Sequence, residues 1–212
     1  MHKSFGLMSE NIDLKKISDF YNKRFEKTGE TISSVGWKNY SDQDLRFSQL
    51  LRDVDFEGKT ILDFGCGLGH LVSYLEKKSK NFHYVGVDIS KKLIDSARSK
   101  HTGGNILFYE GEIDQVYAIS KKRNLDIILS SGTFSYNIKN MKNYTKEAIR
   151  VLFEISEEIV SINFLSNYVD YELKKNIHFS PEEMFKYSKG ITNKVNLFND
   201  YPLYEFTLQL KK

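Results

Sequence analysis

Three glycines, Gly65, Gly67 and Gly69, follow a short apolar run that ends in Asp63-Phe64. Glycines in such a loop tolerate unusual backbone angles and let a ligand approach the main chain with no Cβ in the way. A second acid, Asp88 in Val85-Gly86-Val87-Asp88-Ile89-Ser90, stands about 20 residues further on. A carboxylate at that distance, after a second strand, accepts hydrogen bonds from ribose hydroxyls. The loop reads G-x-G-x-G, and His70 holds the place where a dinucleotide fingerprint has its last glycine. No G-x-x-x-x-G-K-[ST] run occurs, which excludes a mononucleotide P-loop.

Charge separates the remaining ligands. Asp63 lies two residues before the loop, near the ligand's polar end. A carboxylate there is unfavourable beside a pyrophosphate and favourable beside an ammonium or sulfonium. S-adenosylmethionine carries a ribose, a sulfonium and an ammonium but no phosphate, so the residues favour it over a dinucleotide. Two upstream residues could complete its site. Arg46, in Asp42-Gln43-Asp44-Leu45-Arg46-Phe47, could hold the methionine carboxylate bidentately, or be a solvated surface arginine. Trp37, the single tryptophan, could wall the site and attract a sulfonium through its ring face, or anchor the core. Cys66 reads as a small buried residue rather than a nucleophile.

The elements that must position these groups alternate from Thr60 onward between short apolar runs and helical patterns, the signature of βαβ units and a parallel sheet. Strands are expected at 60–64, 84–87, 106–109, 125–130 and 159–164, with helices after the glycines, at 91–100 and at about 140–155. Ser180-Pro181-Glu182-Glu183 is a helix start, with an N-cap serine, proline in the first turn and acids at the positive helix end. Strands at 194–198 and 204–210 then form a hairpin that puts one antiparallel strand into the sheet. The fold class is α/β. Residues 1–57 read as a helical, aromatic-rich cap, broken around 28–36 and too short to be independent. Residues 58–212 form the ligand-binding domain.

At this point the chain resembles the class I S-adenosylmethionine-dependent methyltransferases. Ile61-Leu62-Asp63-Phe64-Gly65-Cys66-Gly67-Leu68-Gly69 is similar to their first motif, and Val85-Gly86-Val87-Asp88-Ile89-Ser90 to their second. Tyr109-Glu110-Gly111-Glu112-Ile113 resembles the segment whose acid and next backbone amide meet adenine. Leu125 to Phe134, with Ser130, is similar to the fourth-strand motif bordering the methyl donor. The resemblance covers about 60–210 and implies a seven-stranded, mostly parallel, doubly wound Rossmann-like sheet with a C-terminal antiparallel hairpin. It also implies donor-binding roles for Asp63, Gly65, Gly67, Gly69, Asp88, Ile89, Glu112, Ile113 and Ser130, and fits one for Arg46. His178, after strand five, falls where this fold lines the acceptor pocket and is the candidate general base; Tyr21, Tyr136 and Asn137 are candidates for acceptor binding. The segment from Phe164 is similar to small bacterial methyltransferases of metabolite or surface-glycan pathways.

The expected activity is methyl transfer to a small polar acceptor, oxygen rather than nitrogen. The Asn/Asp-Pro-Pro-Tyr/Phe signature of amino-methylating nucleic-acid enzymes is absent, with Ser130-Ser131-Gly132-Thr133 near its place. An RNA or protein methyltransferase and a non-catalytic S-adenosylmethionine-binding protein are the alternatives. Basic clusters such as Lys77-Lys78 and Lys121-Lys122-Arg123 are short and scattered, and net charge is only +3, so no nucleic-acid partner is expected. One cysteine allows neither an internal disulfide nor a cysteine metal site. The residues Met1 to Glu10 lack the apolar core of a signal peptide, and no run of about 18–20 apolar residues suits a membrane. A cytoplasmic protein is expected, its oligomeric state left open.

Overall fold

The computed structural model of the chain describes residues 12–212. The segment Met1 to Glu10, and with it the start of the expected cap, lies outside the described residues. In chain order the elements are α1 (Leu14–Thr28), α2 (Tyr40–Leu50), β1 (Thr60–Phe64), α3 (His70–Glu76), β2 (His83–Asp88), α4 (Lys91–Lys100) and β3 (Ile106–Glu110). They continue with α5 (Ile113–Ser120), β4 (Leu125–Ser130), α6 (Met141–Ile155), β5 (Ser156–Leu165), α7 (Pro181–Lys189), β6 (Val195–Phe198) and β7 (Glu205–Lys211). Short 3-10 turns lie at Ile32–Val35 and Thr133–Ser135.

The strands form one sheet in the order β3-β2-β1-β4-β5-β7-β6. Strands β1 to β5 are parallel, and β7 runs antiparallel to both β5 and β6. The expected mixed seven-stranded sheet with its terminal hairpin is what forms. Successive residues of a strand point to opposite faces, and here both faces are apolar. Ile61, Ile127 and Leu129 pack with Phe47 of α2, Leu71 of α3 and Ile94 of α4. Their neighbours Leu62, Phe64 and Ile128 pack on the other side with Val116 of α5, Leu152 of α6 and Met184 of α7. Each fully buried Leu or Ile contributes about 1.5–3 kcal/mol, so the double-sided pattern commits these runs to a sheet covered by helices on both faces.

Helix caps follow the sequence. The Ser180 Oγ accepts from the Glu183 N–H at 3.1 Å, and Pro181 begins α7. Helix α6 buries Met141, Tyr144, Thr145, Ala148, Ile149 and Leu152 along one stripe. Helix α5 has no counterpart among the expected elements. Its eight residues directly follow Glu112, in a stretch read only for its ligand contact.

Strand β1 has β2 on one side and β4 on the other. The chain therefore reverses its winding there, and such a switch point opens a crevice at the C-terminal strand ends. The cap helices cover it. Helix α1 is fastened to the end of β2: the Ser18 hydroxyl donates to the Ile89 carbonyl at 3.0 Å. The Asn22 Oδ1 accepts from the Ser90 hydroxyl at 2.8 Å and the Lys92 N–H at 3.2 Å. Helix α2 is fastened to β7, where the Gln209 amide donates to the carbonyls of Leu50 and Arg52 at 3.3 and 2.8 Å.

Candidate active site

The loop between β1 and α3 is shaped by what surrounds it. Gly65 and Gly67 have φ of 81° and 55°, in the left-handed region that favours glycine. A Cβ on Gly65 would collide with the Thr133 hydroxyl, and one on Gly67 would lie 2.8 Å from Val35 Cγ1. Asp88 ties this loop to the next strand. Its Oδ2 accepts from the Gly67 N–H and its Oδ1 from the Ser90 N–H, each at 2.8 Å. Burial raises the Asp88 pKa, opposed by those backbone hydrogen bonds.

Asp63 is buried at the end of β1. The Tyr84 hydroxyl donates to its Oδ2 at 2.7 Å, while its Oδ1 is buried with no hydrogen-bond partner among the described residues. Burial pushes the carboxyl up to about 7, against the pull of the Tyr84 hydrogen bond. A buried polar atom without a partner costs free energy. An ammonium brought beside it would supply both the missing donor and the counter-charge.

These groups wall one cavity of about 420 Å³. Asp63, Gly65, Gly67, Asp88, Ile89 and Glu112 line it from the strand ends, and Trp37 and Arg46 from the cap. Glu112 precedes α5 in extended conformation; burial, then Asp114, raises its pKa. Tyr21 and Tyr136 also line the cavity, with Phe20 packed on Tyr136 at 4.8 Å between ring centres. A carboxylate at the end of β2, an acid with one unpartnered oxygen and a glycine floor in one cavity fit a nucleoside ligand that bears a cationic nitrogen.

Arg46 is placed differently from the sequence expectation. Its Nε donates to Glu205 Oε2 at 2.7 Å and its Nη2 pairs with Oε1, so the bidentate edge is already engaged within the protein. Nη1 makes no hydrogen bond to the described residues and is left for a ligand carboxylate. A Cβ on Gly132 would lie 2.6 Å from that Nη1, so Gly132 gives it room. The pair is buried and extends further. The Asn163 amide donates to Glu205 Oε2 at 2.8 Å, and its Oδ1 accepts from the Gly132 N–H at 2.7 Å. The guanidinium also lies 4.0 Å over the Trp37 ring. The ring face expected to meet a sulfonium thus has an arginine against it.

Five expected residues are not in the cavity wall; one is Asn137, whose backbone N–H and side-chain amide donate to the Lys175 and Lys174 carbonyls at 2.8 and 3.1 Å. Ser130 is fully buried, its hydroxyl 3.0 Å from the Phe64 carbonyl and 2.8 Å from Thr133 Oγ1. It braces the loop after β4, and Ser131, Thr133 and Ser135 line the cavity in its stead. The Ile113 side chain belongs to the apolar core. Gly69 caps α3 and packs against Phe108, which a Cβ would meet at 2.8 Å. His178 is not brought to the cavity as a base. Its Nδ1 lies 2.6 Å from the Ser166 carbonyl, to which it donates, and its Nε2 is buried with no partner among the described residues. The chain path through 166–179, set by the isolated bridges Ser166–Phe179 and Tyr136–Asn176, keeps it behind the wall.

Glu205, Arg24 and the Gln43–His70 contact were missed. His70 Nδ1 lies 3.0 Å from Gln43 Oε1, and burial with nearby Lys100 and His101 lowers its pKa to about 4. His70 was noted at the loop, but its partner lies in the cap. Glu205 sits in an ordinary strand pattern that carries no sign of its distant partner.

Residues 55–200, more than half of the chain, match the family model described as a methyltransferase domain. A candidate methyltransferase of Mycobacterium tuberculosis is 28% identical over 164 residues, covering 72% of this chain and 93% of the relative. The malonyl-[acyl-carrier protein] O-methyltransferase of Priestia megaterium is 28% identical over 137 residues, covering 62% of this chain but 49% of that enzyme. Among solved structures, magnesium protoporphyrin IX methyltransferase from Synechocystis PCC 6803 with bound S-adenosylhomocysteine shares the fold. Its TM-score is 0.67 at 14% identity, covering 94% of this chain and 100% of that one. With residues 55–200 matched to that family model, the chain belongs to the class I S-adenosylmethionine-dependent methyltransferases.

Proposed function

We propose that the protein methylates a small polar acceptor at oxygen, in the cytoplasm, with residues up to 57 closing over the site and the rest binding the donor. The observation that carries this reading is the single cavity shared by the donor residues at the strand ends and by aromatic side chains of the cap. S-adenosylmethionine supplies the methyl group on a sulfonium, an electrophile with a good leaving group already in place.

The work of the chain is then alignment, which can supply much of the rate. Asp88 would accept from the ribose, and Glu112 with the Ile113 backbone amide would meet the adenine. Gly65 and Gly67 would let the ligand approach the main chain. Gly69 and Ser130 act through the loops they brace. The unpartnered Asp63 oxygen would take the ammonium, and Arg46 Nη1 beside Trp37 the carboxylate. Two features support oxygen as the acceptor atom. One is the similarity to an O-methyltransferase; the other is Ser130-Ser131-Gly132-Thr133 where amino-methylating enzymes carry a proline-rich signature. No helix among the described residues is long and apolar enough to cross a membrane.

Transfer of labelled methyl from S-adenosylmethionine to extract separated into small molecules, RNA and protein tests the reading. Label is expected in the small-molecule fraction. Label confined to RNA or protein would overturn it, and donor binding with no labelled fraction would point to a non-catalytic protein.

A further inference from the structure

Four basic side chains line the cavity: Arg24, Lys38, Arg46 and Lys175. Arg46 is neutralised by Glu205. The other three have no ion-pair or side-chain hydrogen-bond partner among the described residues. Lys38 and Lys175 are exposed at the rim and well hydrated, whereas Arg24 is half-buried beneath the roof formed by α1. Its Nη1 lies against the turn before Trp37, 3.8 Å from where a Cβ on Gly36 would stand. Tyr21, one helical turn earlier, lines the same cavity as Arg24, Arg46 and Asp88, so Arg24 shares that space with the donor residues. The donor has one anionic group, and Arg46 Nη1 is placed for it. An unmatched guanidinium remains.

Among the described residues, the wall's acids Asp63, Asp88 and Glu112 are the ones assigned to the donor, and its histidine and its Tyr21 phenol are poorly suited to taking a proton from an acceptor hydroxyl or ammonium. The His70 pKa is lowered to about 4, and its Nδ1 is held by Gln43. Burial raises the Tyr21 phenol above its ordinary range. His178 stands outside the cavity lining. An acceptor already ionised at neutral pH needs no such base.

Building on the reading of a small-molecule O-methyltransferase, we propose that the acceptor is a carboxylate with an apolar body, anchored by Arg24 and methylated to its ester. Leu14, Ile17, Phe134 and Met141 supply the apolar wall. Arg24 holds one carboxylate oxygen and leaves the other free to attack. A lone pair of that oxygen forms the O–CH3 bond as the CH3–S bond breaks, and the bonding pair stays on sulfur. No proton moves. The products are a methyl ester and S-adenosylhomocysteine, and the loss of the carboxylate charge releases the ester from Arg24.

The test begins with calorimetry of S-adenosylhomocysteine on the wild-type protein; failure at that stage removes the donor reading itself. On the loaded protein, octanoate is then compared with octanamide, its neutral counterpart of similar shape. Octanoate is expected to bind at least about tenfold tighter. Arg24→Gln should abolish that preference and Arg24→Lys should keep part of it, both leaving S-adenosylhomocysteine affinity within about twofold. Label transferred to the small-molecule fraction should be released as methanol by mild alkali, as methyl esters are. Equal binding of octanoate and octanamide, or alkali-stable label, would overturn the carboxylate. An Arg24→Gln variant that loses S-adenosylhomocysteine and not octanoate would assign the anion to the donor instead.

Discussion

The two walls of the cavity are held by different physics. At the strand ends, the loop after β1 and the acid that ends β2 are joined by the Gly67 N–H, which donates to the Asp88 carboxylate, beside the Gly65 and Cys66 N–H groups, which donate to the Val87 carbonyl. Short motifs fix that geometry, with glycines where a Cβ has no room. The cap wall depends on residues 159 apart: Arg46 of α2 and Glu205 of β7, locked through Asn163 to the loop at Gly132. The first wall is a matter of backbone shape. The second is a buried ion pair, which orients the cap but stabilises it only while both partners are present.

Breaking the second wall should give the largest effect. Glu205→Leu leaves Arg46 charged, buried and unpaired, an expected cost of about 3–5 kcal/mol in urea denaturation. The double variant Arg46→Met with Glu205→Leu should recover most of that loss, since an apolar pair can replace a buried ionic one. A single variant as stable as wild type would show that the ion pair does not hold the cap.

Breaking the first wall should cost less stability. Gly65→Ala places a Cβ against Thr133 at a left-handed φ, worth about 1–3 kcal/mol of strain. It should also lower S-adenosylhomocysteine affinity by displacing the loop, whereas Ala at Gly104, where a Cβ has open space, should leave affinity unchanged.

The smallest effect is a pH dependence at Asp63. Its carboxyl is raised from 3.8 to about 7 in the folded protein. Between about pH 4 and 7 the folded chain therefore holds a proton that the unfolded chain has lost, and the ligand-free stability should fall as pH rises through that window. Binding of a ligand ammonium runs the other way, favouring the ionised acid, so S-adenosylhomocysteine affinity should climb from pH 6 to 8. Asp63→Asn should flatten both profiles; an unchanged slope would place the titration elsewhere.

The same contrast explains what could be read from the sequence. Strand β1 and helix α4 were legible to the residue, and the hairpin nearly so, because alternation, glycines and caps are local signals. The place of Asp63 and Asp88 in the cavity wall was legible because a strand end and a glycine loop fix where they stand. Arg46 was singled out from its neighbourhood, but its partner was not, since nothing around Tyr204-Glu205-Phe206 distinguishes a buried carboxylate from the polar member of an alternating strand. Helix α5 was lost because its short stretch follows a strand without a cap signal: Glu112 makes no side-chain cap hydrogen bond. His178 was misplaced because the path of its loop is decided by pairings with Ser166 and Tyr136 that only the folded chain brings together.

Central to the proposed donor site is Asp88, which would join the glycine loop to the bound donor. Calorimetric titration of S-adenosylmethionine and S-adenosylhomocysteine into wild type and Asp88→Ala tests it directly. Wild type should bind both, and the variant should bind both about ten to a hundred times more weakly, the loss of one or two hydrogen bonds to a charged acceptor. Equal affinity in the two proteins, or no binding by wild type, would contradict it.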